Sequence, residues 1–363
     1  MPEMRVVIAG GGTGGHIIPA VAIANALRAQ LNADILFVGT PRGLESRLVP
    51  QAGYEISLIK VGQLKNVSLF TRARTLFDLP LSIFRCRALL SRFRPHVVIG
   101  VGGYASGPAM AAAILERIPT LAFEPNAYPG LANRLVGKFV GAAAVNFEAA
   151  ARYFHNPRVT GIPVREEFFR LPIRVRGTSP HLLVFGGSQG ARILNTLLPQ
   201  IASALLAEVP GLTILHQAGA RHAKETLAAY MASGAQSSRW QVFDYGNDMP
   251  RRFAAADLVL SRSGASTVAE LAAAGKPSLL IPFPQAADDH QRKNAEALVD
   301  AGAARMLLEP DLTSGALLDA VVSLLNDQSA LDTMAVRAKT LAHPDAVDKI
   351  MEMILELKGK GRK

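Results

Sequence analysis

The stretch RVVIAGGGTGGHIIPAVAIANALRAQL, residues 5–31, decides the fold of this chain. Its opening, Arg5–Ala9, is rich in β-branched residues and predicts a buried strand that stops at a run of glycines. After the glycines the apolar residues take helical spacing, at Ile17, Val21, Ala24, Leu27 and Leu31. A strand, a glycine turn and a helix in this order begin a doubly wound α/β domain.

The same pattern returns at residue 181, as HLLVFGGSQGARILNTLLPQIASALL. Short apolar strands alternate with helical segments after both copies, so we predict an α/β fold of two Rossmann-like doubly wound domains facing each other across a cleft. We place the domains at residues 1–163 and 164–342, followed by a C-terminal helix and basic tail at 343–363. The apolar face expected for that helix comprises Ile350, Met353, Ile354 and Leu357. Ligands of such sheets bind beyond the carboxyl ends of the strands, which predicts a site in the cleft.

Length and composition exclude several classes of protein. The chain has 363 residues, of which 49% are hydrophobic and 19% charged, so it is neither disordered nor collagenous. One cysteine, Cys86, cannot form an intramolecular disulfide, which indicates a reducing compartment. The N-terminus predicts a strand, not a signal peptide, and no apolar stretch reaches the roughly 18 residues of a spanning helix. We therefore expect a soluble protein or one that rests on a membrane surface.

The net charge of +10 is concentrated in the first half of the chain. Residues 1–164 hold 17 Lys and Arg against 8 Asp and Glu, whereas residues 165–363 hold 22 against 21. The segment 60–94 carries eight cations and a single acid, Asp78. Such a field favours an anionic partner, namely nucleic acid, acidic lipid or a phosphorylated substrate. Nucleic acid is the least favoured, because interleaved aromatic residues and groove-reading motifs are absent.

The first glycine loop, Gly10–Gly15, lies between a predicted strand and a helix, where free amides and the helix dipole suit a phosphate or another oxyanion. Its spacing is not G-x-G-x-x-G, and no acidic residue ends the second strand, which argues against NAD. His16 follows the loop, where the dipole disfavours its protonation, so it could serve as a general base. A helix-capping or packed histidine is an equally good interpretation of that position.

Two more glycine loops follow predicted strands, at Gly100–Gly107 and Gly186–Gly190. The second loop suggests a cradle for a second phosphorylated group, and the third has the hydroxyl and amides that suit a diphosphate. A tight helix–strand turn is the alternative for the third loop. Glu270 lies one turn into a helix, where it could cap the turn or accept hydrogen bonds from ribose hydroxyls. Asp288 and Asp289 are adjacent and no Asp-x-Asp occurs, so we expect no dedicated metal site.

The run Val67–Arg87 places Phe70, Phe77 and Phe84 seven residues apart, with arginines beside the apolar stripe. This pattern is typical of an interfacial helix and equally of a core helix with one solvated face. Pro80 interrupts the run, which argues against a single long helix.

Four motifs, taken in order, resemble those of the MurG family of glycosyltransferases: GGTGGHIIPA (11–20), VGGYASGP (101–108), GGSQGAR (186–192) and RSGASTVAELAAAGKP (262–277). The resemblance covers essentially the whole chain and implies the GT-B architecture. It implies transfer of N-acetylglucosamine from UDP-N-acetylglucosamine to the 4-hydroxyl of the muramoyl sugar of lipid I, an undecaprenyl-diphosphate carrier. The product would be lipid II, for peptidoglycan synthesis, made without a cofactor by single displacement with inversion.

The resemblance also implies roles for individual residues. His16 and Glu124 would be catalytic, with His16 as the base for the acceptor hydroxyl. The donor would be bound by Thr13, Gly14, Gly15, Asn126, Arg165, Ser188, Gln189, Gly246, Met249, Ala265, Ser266, Thr267, Val268, Glu270, His290, Gln291 and Asn294. The acceptor diphosphate would lie at Gly102, Gly103, Tyr104 and Ser106. The first domain would face the acceptor and an anionic membrane surface, as a peripheral protein on the cytoplasmic face of the plasma membrane.

Two positions depart from the family pattern. The chain has Phe123-Glu124-Pro125-Asn126 where the family often has His-Glu-Gln-Asn, and Ile162 where Asn commonly precedes Pro-Val-Arg. Three alternative functions share the predicted fold: a transferase that glycosylates diacylglycerol or another lipid, a UDP-sugar epimerase, and a nucleotide-binding, membrane-docking protein without catalysis.

Overall fold

The computed structural model describes residues 4–61, 69–172, 179–187, 189–244, 246 and 248–360. The chain divides into two compact units. Unit 1 comprises Met1–Pro163 together with Asp345–Lys363, and unit 2 comprises Val164–Pro344.

Unit 1 contains a seven-stranded parallel sheet in the order β3-β2-β1-β4-β5-β6-β7. Its strands are β1 (Arg5–Ala9), β2 (Asp34–Gly39), β3 (Glu55–Leu58), β4 (Val97–Gly100), β5 (Thr120–Glu124), β6 (Ala142–Val145) and β7 (Pro157–Val159). Its helices are α1 (Gly14–Leu31), α2 (Glu45–Gln51), α3 (Leu69–Phe93), α4 (Ser106–Leu115), α5 (Leu131–Val136), α6 (Glu148–Ala151) and α15 (Ala346–Lys360).

Unit 2 contains a six-stranded parallel sheet in the order β10-β9-β8-β11-β12-β13. Its strands are β8 (His181–Phe185), β9 (Thr213–Gln217), β10 (Trp240–Phe243), β11 (Leu258–Ser261), β12 (Ser278–Leu280) and β13 (Ala304–Met306). Its helices are α7 (Glu166–Phe169), α8 (Arg192–Glu208), α9 (Ala223–Ala232), α10 (Met249–Ala255), α11 (Ala265–Ala274), α12 (His290–Asp300), α13 (Ser314–Asn326) and α14 (Gln328–Thr340).

The strand–glycine–helix pattern predicted at residues 5–31 and 181–206 is confirmed in both units. The central strands are apolar along their whole length because helices cover both faces of a parallel sheet. Thus Val6, Val7 and Ile8 of β1 are all fully buried, as are Leu182 and Val184 of β8.

Helix α3 continues through Pro80, so the prediction that this proline interrupts the run was wrong. A proline inside a helix costs about 3 kcal/mol or more. Buried Cys86 and Leu90 pack into the core of unit 1 and anchor the C-terminal half of the helix. None of the helices in the described ranges is both long enough and apolar enough to span a membrane.

The last helix, α15, packs against α1 and the strands β5 and β6 of unit 1. Its predicted apolar face is confirmed, since Ile350, Met353, Ile354 and Leu357 are all buried. Arg158, in β7, donates hydrogen bonds to the carboxylates of Glu352 (3.4 Å) and Glu356 (3.1 Å) on the helix. The end of the chain is therefore an integral part of the first unit.

Candidate active site

The glycine loops lie where the strand order of each sheet reverses. In unit 1, loop 10–15 follows β1 and loop 100–107 follows β4, and these two strands are neighbours. In unit 2, loop 186–190 follows β8, and residues 262–264 follow its neighbour β11. Ligands of doubly wound sheets bind at this switch point, beyond the carboxyl ends of the strands.

The first two glycine loops contact each other directly. The backbone N–H of Gly11 donates a hydrogen bond to the carbonyl oxygen of Gly102 (3.1 Å). A β-carbon on Gly103 would lie 2.2 Å from the carbonyl oxygen of Gly11, and its φ of +82° also favours glycine. The two loops therefore form one backbone-lined surface.

His16 lies at this surface, in the first turn of α1. Its backbone N–H donates to the carbonyl of Thr13 (3.2 Å), the residue that precedes the helix. Its ring lies against the second loop, since a β-carbon on Gly102 would be 2.9 Å from the ring atom Cε1. Thr13 is exposed, and Gly14 and Gly15 are partly exposed beside it. The structure thus brings four predicted site residues together with the second loop.

The side chains of the second loop point in different directions. Tyr104 is 42% exposed, as a ligand contact requires. Ser106 is fully buried, and its hydroxyl lies 2.8 Å from where a β-carbon on Gly100 would stand. This burial argues against the predicted contact between the Ser106 side chain and a diphosphate. Sequence spacing placed Ser106 at the start of α4 but could not say which side of the helix faces the sheet.

Glu124 is buried at the end of β5, where it organises the following loop. One carboxylate oxygen accepts from the backbone (2.9 Å) and the side-chain amide (3.1 Å) of Asn126. The other accepts from the backbone of Gly130 (3.1 Å) and the side chain of Asn133 (3.0 Å). Burial raises the pKa of Glu124, while these hydrogen bonds lower it. With both oxygens engaged by protein donors, the geometry favours a positioning role over the catalytic one predicted.

The third glycine loop is held by residues that sequence reasoning missed. Gly190 is tightly packed, since a β-carbon there would lie 1.9 Å from the carbonyl oxygen of Ala218. Asn195 donates to that same carbonyl (2.9 Å) and lies 3.0 Å from Nε2 of His216. Burial lowers the pKa of His216 to about 3, which keeps its ring neutral. Gln189, in the same loop, is exposed.

Ser188, predicted to contact the diphosphate, lies outside the described residues. The sequence does not indicate the hydrogen bonds of Asn195 and His216, because their partners lie 14–23 residues away along the chain.

In helix α11, only some of the residues predicted to bind the donor are exposed. Ala265 and Val268 are buried, and the backbone N–H of Val268 bonds within the helix to Gly264 (3.0 Å), so they offer little to a ligand. Ser266 and Thr267 are partly exposed. The binding surface of this segment is thus narrower than the sequence predicted.

Glu270 is the titratable group of this helix. Burial raises the pKa of its carboxyl to about 7, and the positive charge of Arg165 acts in the opposite direction. Arg165 precedes α7, which packs against α11, and its guanidinium lies 5.1 Å from the ring centroid of Phe168. Two predicted site residues are therefore electrostatically coupled.

The residues predicted to contact the sugar lie at the start of α12. The side-chain oxygen of Gln291 accepts from the backbone of Phe283 (3.0 Å), and its carbonyl accepts from the hydroxyl of Ser263 (2.8 Å). Asn294 is fully buried and donates to the carbonyl of Ser263 (3.2 Å), which favours a role in holding the loop after β11. Nδ1 of His290 lies 2.7 Å from the carbonyl of Ala287, and burial lowers the pKa of His290.

Gly246 and Met249, predicted near the uracil, follow β10. Beside them, the guanidinium of Arg252 lies over the aromatic ring of Phe243, 3.8 Å from the ring centroid. Asp248 accepts from Nε of Arg252 (2.7 Å), and this hydrogen bond lowers the pKa of Asp248.

Comparisons with known proteins agree along the whole chain. Residues 6–145 match the glycosyltransferase family 28 N-terminal domain, and residues 181–350 match its C-terminal domain. The crystal structure of Acinetobacter baumannii MurG is similar, with a TM-score of 0.80 and 31% identity over 97% of this chain and 99% of that chain. The chain belongs to the MurG family.

Curated MurG-family relatives have nearly the same length as this chain. A Solibacter usitatus protein is 42% identical over 97% of this chain and 95% of its own length. A Myxococcus xanthus protein is 40% identical over 98% and 93%. Both are named UDP-N-acetylglucosamine–N-acetylmuramyl-(pentapeptide) pyrophosphoryl-undecaprenol N-acetylglucosamine transferase.

The MurG-family fold is of GT-B type, with two Rossmann-like units, as predicted. A UDP-N-acetylglucosamine 2-epimerase from Neisseria meningitidis shares this fold at a TM-score of 0.65 but with only 13% identity, over 97% of this chain and 100% of that chain. The epimerase likeness therefore concerns the fold alone, whereas the family assignment rests on sequence. In the part of the chain that the structure describes, no three His, Cys, Asp or Glu side chains gather as a metal site.

Proposed function

We propose that this chain transfers N-acetylglucosamine from UDP-N-acetylglucosamine to the 4-hydroxyl of the muramoyl sugar of lipid I, giving lipid II. The observation that carries this proposal is the full-length similarity to transferases of that name, at 42% identity over 97% of the chain. The position of the glycine loops at the switch points of both sheets supports it, because doubly wound sheets bind their ligands there.

His16 is the residue best placed to act on the acceptor. Its ring borders the joined surface of the first two glycine loops, against Gly102. A neutral imidazole can remove the proton of the acceptor hydroxyl as that oxygen attacks the anomeric carbon of the donor. The bond from that carbon to the UDP oxygen breaks in the same step, with inversion.

Glu124 supports this site without touching the reactants. Its four hydrogen bonds fix the loop that carries Asn126, the side chain predicted to reach the donor sugar. A carboxylate that accepts so many protein donors has little capacity left for a substrate hydroxyl. We therefore assign Glu124 as a positioning residue.

The nucleotide of the donor belongs to unit 2 in this proposal. The carboxylate of Glu270 accepts from the ribose hydroxyls, and Arg165, coupled to it electrostatically, lies near the nucleotide. The departing diphosphate is stabilised by the N-terminus of α11, at the switch point of the second sheet. The hydrogen-bonded pair of Asn195 and neutral His216 holds the loop after β8 in place.

The test of the transfer is direct. We expect label from UDP-N-acetylglucosamine to appear on a short-chain lipid I analogue and not on diacylglycerol, each supplied separately to the purified full chain. Transfer to diacylglycerol alone would contradict the acceptor assignment. Binding of UDP-N-acetylglucosamine without transfer to either lipid would contradict the catalytic proposal altogether.

The first unit carries a surface that fits an anionic membrane. On α3, Leu81 and Phe84 are 48% and 66% exposed, and Leu115 at the end of α4 is 64% exposed. Arg87 on α3 forms an ion pair with Glu116, which follows α4 (2.5 Å). Further exposed arginines on or next to α3 are Arg85, Arg92 and Arg94. Apolar side chains surrounded by cations are typical of proteins that rest on acidic lipid.

We expect Phe84→Glu to weaken binding to vesicles of phosphatidylcholine and phosphatidylglycerol about tenfold. The variant loses the apolar side chain that would enter the lipid, and its new carboxylate is repelled by the anionic head groups. Met231→Glu is the matched control, because Met231 is equally exposed (74%) but lies on unit 2. Co-sedimentation at low and moderate salt provides the measurement. Equal binding by the two variants would contradict the placement of the membrane surface on α3.

A further inference from the structure

Glu45, the first residue of α2, is buried beside the first glycine loop, with 1% exposure. One carboxylate oxygen accepts from the backbone N–H of Gly12 (2.7 Å). The other accepts from the backbone N–H (2.9 Å) and the hydroxyl (2.8 Å) of Thr40. A buried carboxylate needs such donors, because its desolvation would otherwise be costly.

Three glycines make room for this carboxylate. A β-carbon on Gly11 would lie 2.2 Å from the Glu45 carboxyl carbon, and one on Gly43 would lie 2.0 Å from its Oε2. A β-carbon on Gly39 would lie 2.5 Å from the Glu45 Cγ. The chain at Gly11, Gly39 and Gly43 therefore leaves space for the side chain of Glu45. No motif identified in the sequence includes Glu45.

The first glycine loop is therefore held from two sides. The backbone N–H of Gly11 donates a hydrogen bond to Gly102 of the second loop, and the backbone N–H of Gly12 donates one to Glu45. The loop leads directly into the first turn of α1, where His16 lies against Gly102. The Gly12 amide thus has a carboxylate partner inside the protein and is not free, whereas the sequence led us to expect free amides in this loop.

We propose that Glu45 is a positioning residue that fixes the first glycine loop and, through it, the ring of His16. The carboxylate takes the place at the Gly12 amide that a phosphate has in other glycine loops. The kinetic part of this inference rests on the proposed function, because it assumes that His16 acts in the transfer reaction. The structural part concerns only the loop and the histidine ring.

The variant Glu45→Gln separates the loop contact from the others. Both hydrogen bonds from Thr40 go to one oxygen, so the glutamine oxygen is drawn to that side. The amide NH2 group of the glutamine then faces the N–H of Gly12, so that two hydrogen-bond donors point at each other. Thr40→Val is the matched control, because it removes one hydrogen bond to Glu45 and leaves the Gly12 contact intact.

We expect Glu45→Gln to lower kcat about tenfold, since small displacements of a catalytic group have effects of this size or larger. KM for UDP-N-acetylglucosamine should stay within about twofold, and Thr40→Val should keep kcat within about twofold. Glu45→Asp, which retains the charge but is too short for both sides, should also lower kcat. It serves as the test if Glu45→Gln melts below the assay temperature.

A second readout does not depend on the transfer reaction. In the NMR spectrum of protein with isotope-labelled histidine, the resonance of the His16 ring is assigned by its loss in His16→Ala. The chemical shift of this resonance should change in Glu45→Gln and stay the same in Thr40→Val. Unchanged kcat and an unchanged His16 signal in Glu45→Gln would overturn the proposal. So would equal effects of the two variants, or a loss of kcat matched by an equal loss of donor affinity. If the unmodified chain transfers no sugar, the proposed function fails while the ring signal still tests the positioning role.

Discussion

Replacing His16 with alanine should lower kcat about 100-fold or more, while the affinity for UDP-N-acetylglucosamine stays within about twofold. The reason is that a positioned general base acts on the transition state, whereas the nucleotide of the donor is assigned to unit 2. Turnover on a lipid I analogue and donor titration calorimetry together measure the two quantities. A loss confined to kcat is the signature of a group that acts on the reacting hydroxyl.

Two further variants distinguish a catalytic role of His16 from a general effect of replacing a histidine. His155→Ala is the control, since His155 is an exposed histidine of the same unit and has no assigned role. His16→Asn keeps a polar side chain against Gly102 but supplies no base, so it should be as slow as His16→Ala. Wild-type turnover in either His16 variant would remove His16 from the mechanism, and a lowered melting temperature with lost donor binding would indicate a packed histidine.

The sequence was sufficient for the fold because the fold depends on local patterns. Apolar strands such as Arg5–Ala9 and His181–Phe185 are buried on both faces, which leaves an uninterrupted apolar signal. The burial of Ile350 and Leu357 in α15 likewise follows from helical spacing alone. Pro80 was misjudged because tertiary packing on the following turns outweighs its local cost.

The candidate site could be predicted only in part, because its organisation depends on contacts between distant segments. The loops after β1 and β4 were each recognised, but their contact through Gly11 and Gly102 follows from sheet order. Glu45 lies 33 residues from its partner Gly12 and in no recognised motif. Ser106 and Asn294 stand in binding motifs, yet both side chains are fully buried, because a motif does not specify which way a helix faces.

Glu270→Ala should weaken UDP affinity about 100-fold, since two hydrogen bonds to a charged group, each worth about 1.5 kcal/mol, are lost. Glu270→Gln keeps one acceptor and should lose about tenfold. Isothermal titration with UDP measures both variants, and His222→Ala, an exposed side chain of the same unit, is the control. UDP affinity that survives in Glu270→Ala would contradict the ribose assignment.

The pH dependence provides an independent test of the same residue. Because the pKa of Glu270 is raised to about 7, the carboxylate that accepts ribose hydroxyls is depleted below neutrality. UDP affinity should fall about tenfold from pH 7.5 to pH 6, and binding near pH 7 should release a proton. Arg165→Met should move this midpoint above 7, because the arginine charge opposes the effect of burial.

Stability without ligand should follow the opposite course. A carboxyl whose pKa is raised from 4.5 to about 7 binds its proton more tightly when folded. Its contribution to stability is therefore complete below pH 4.5 and is lost as the pH rises through 7. Unit 2 of Glu270→Gln should lack this loss, so the stability of the variant should rise relative to the unmodified chain between about pH 4.5 and pH 7. A stability difference between Glu270→Gln and the unmodified chain that stays constant from pH 4.5 to pH 7 would contradict the assignment, because this difference isolates the titration of one carboxyl.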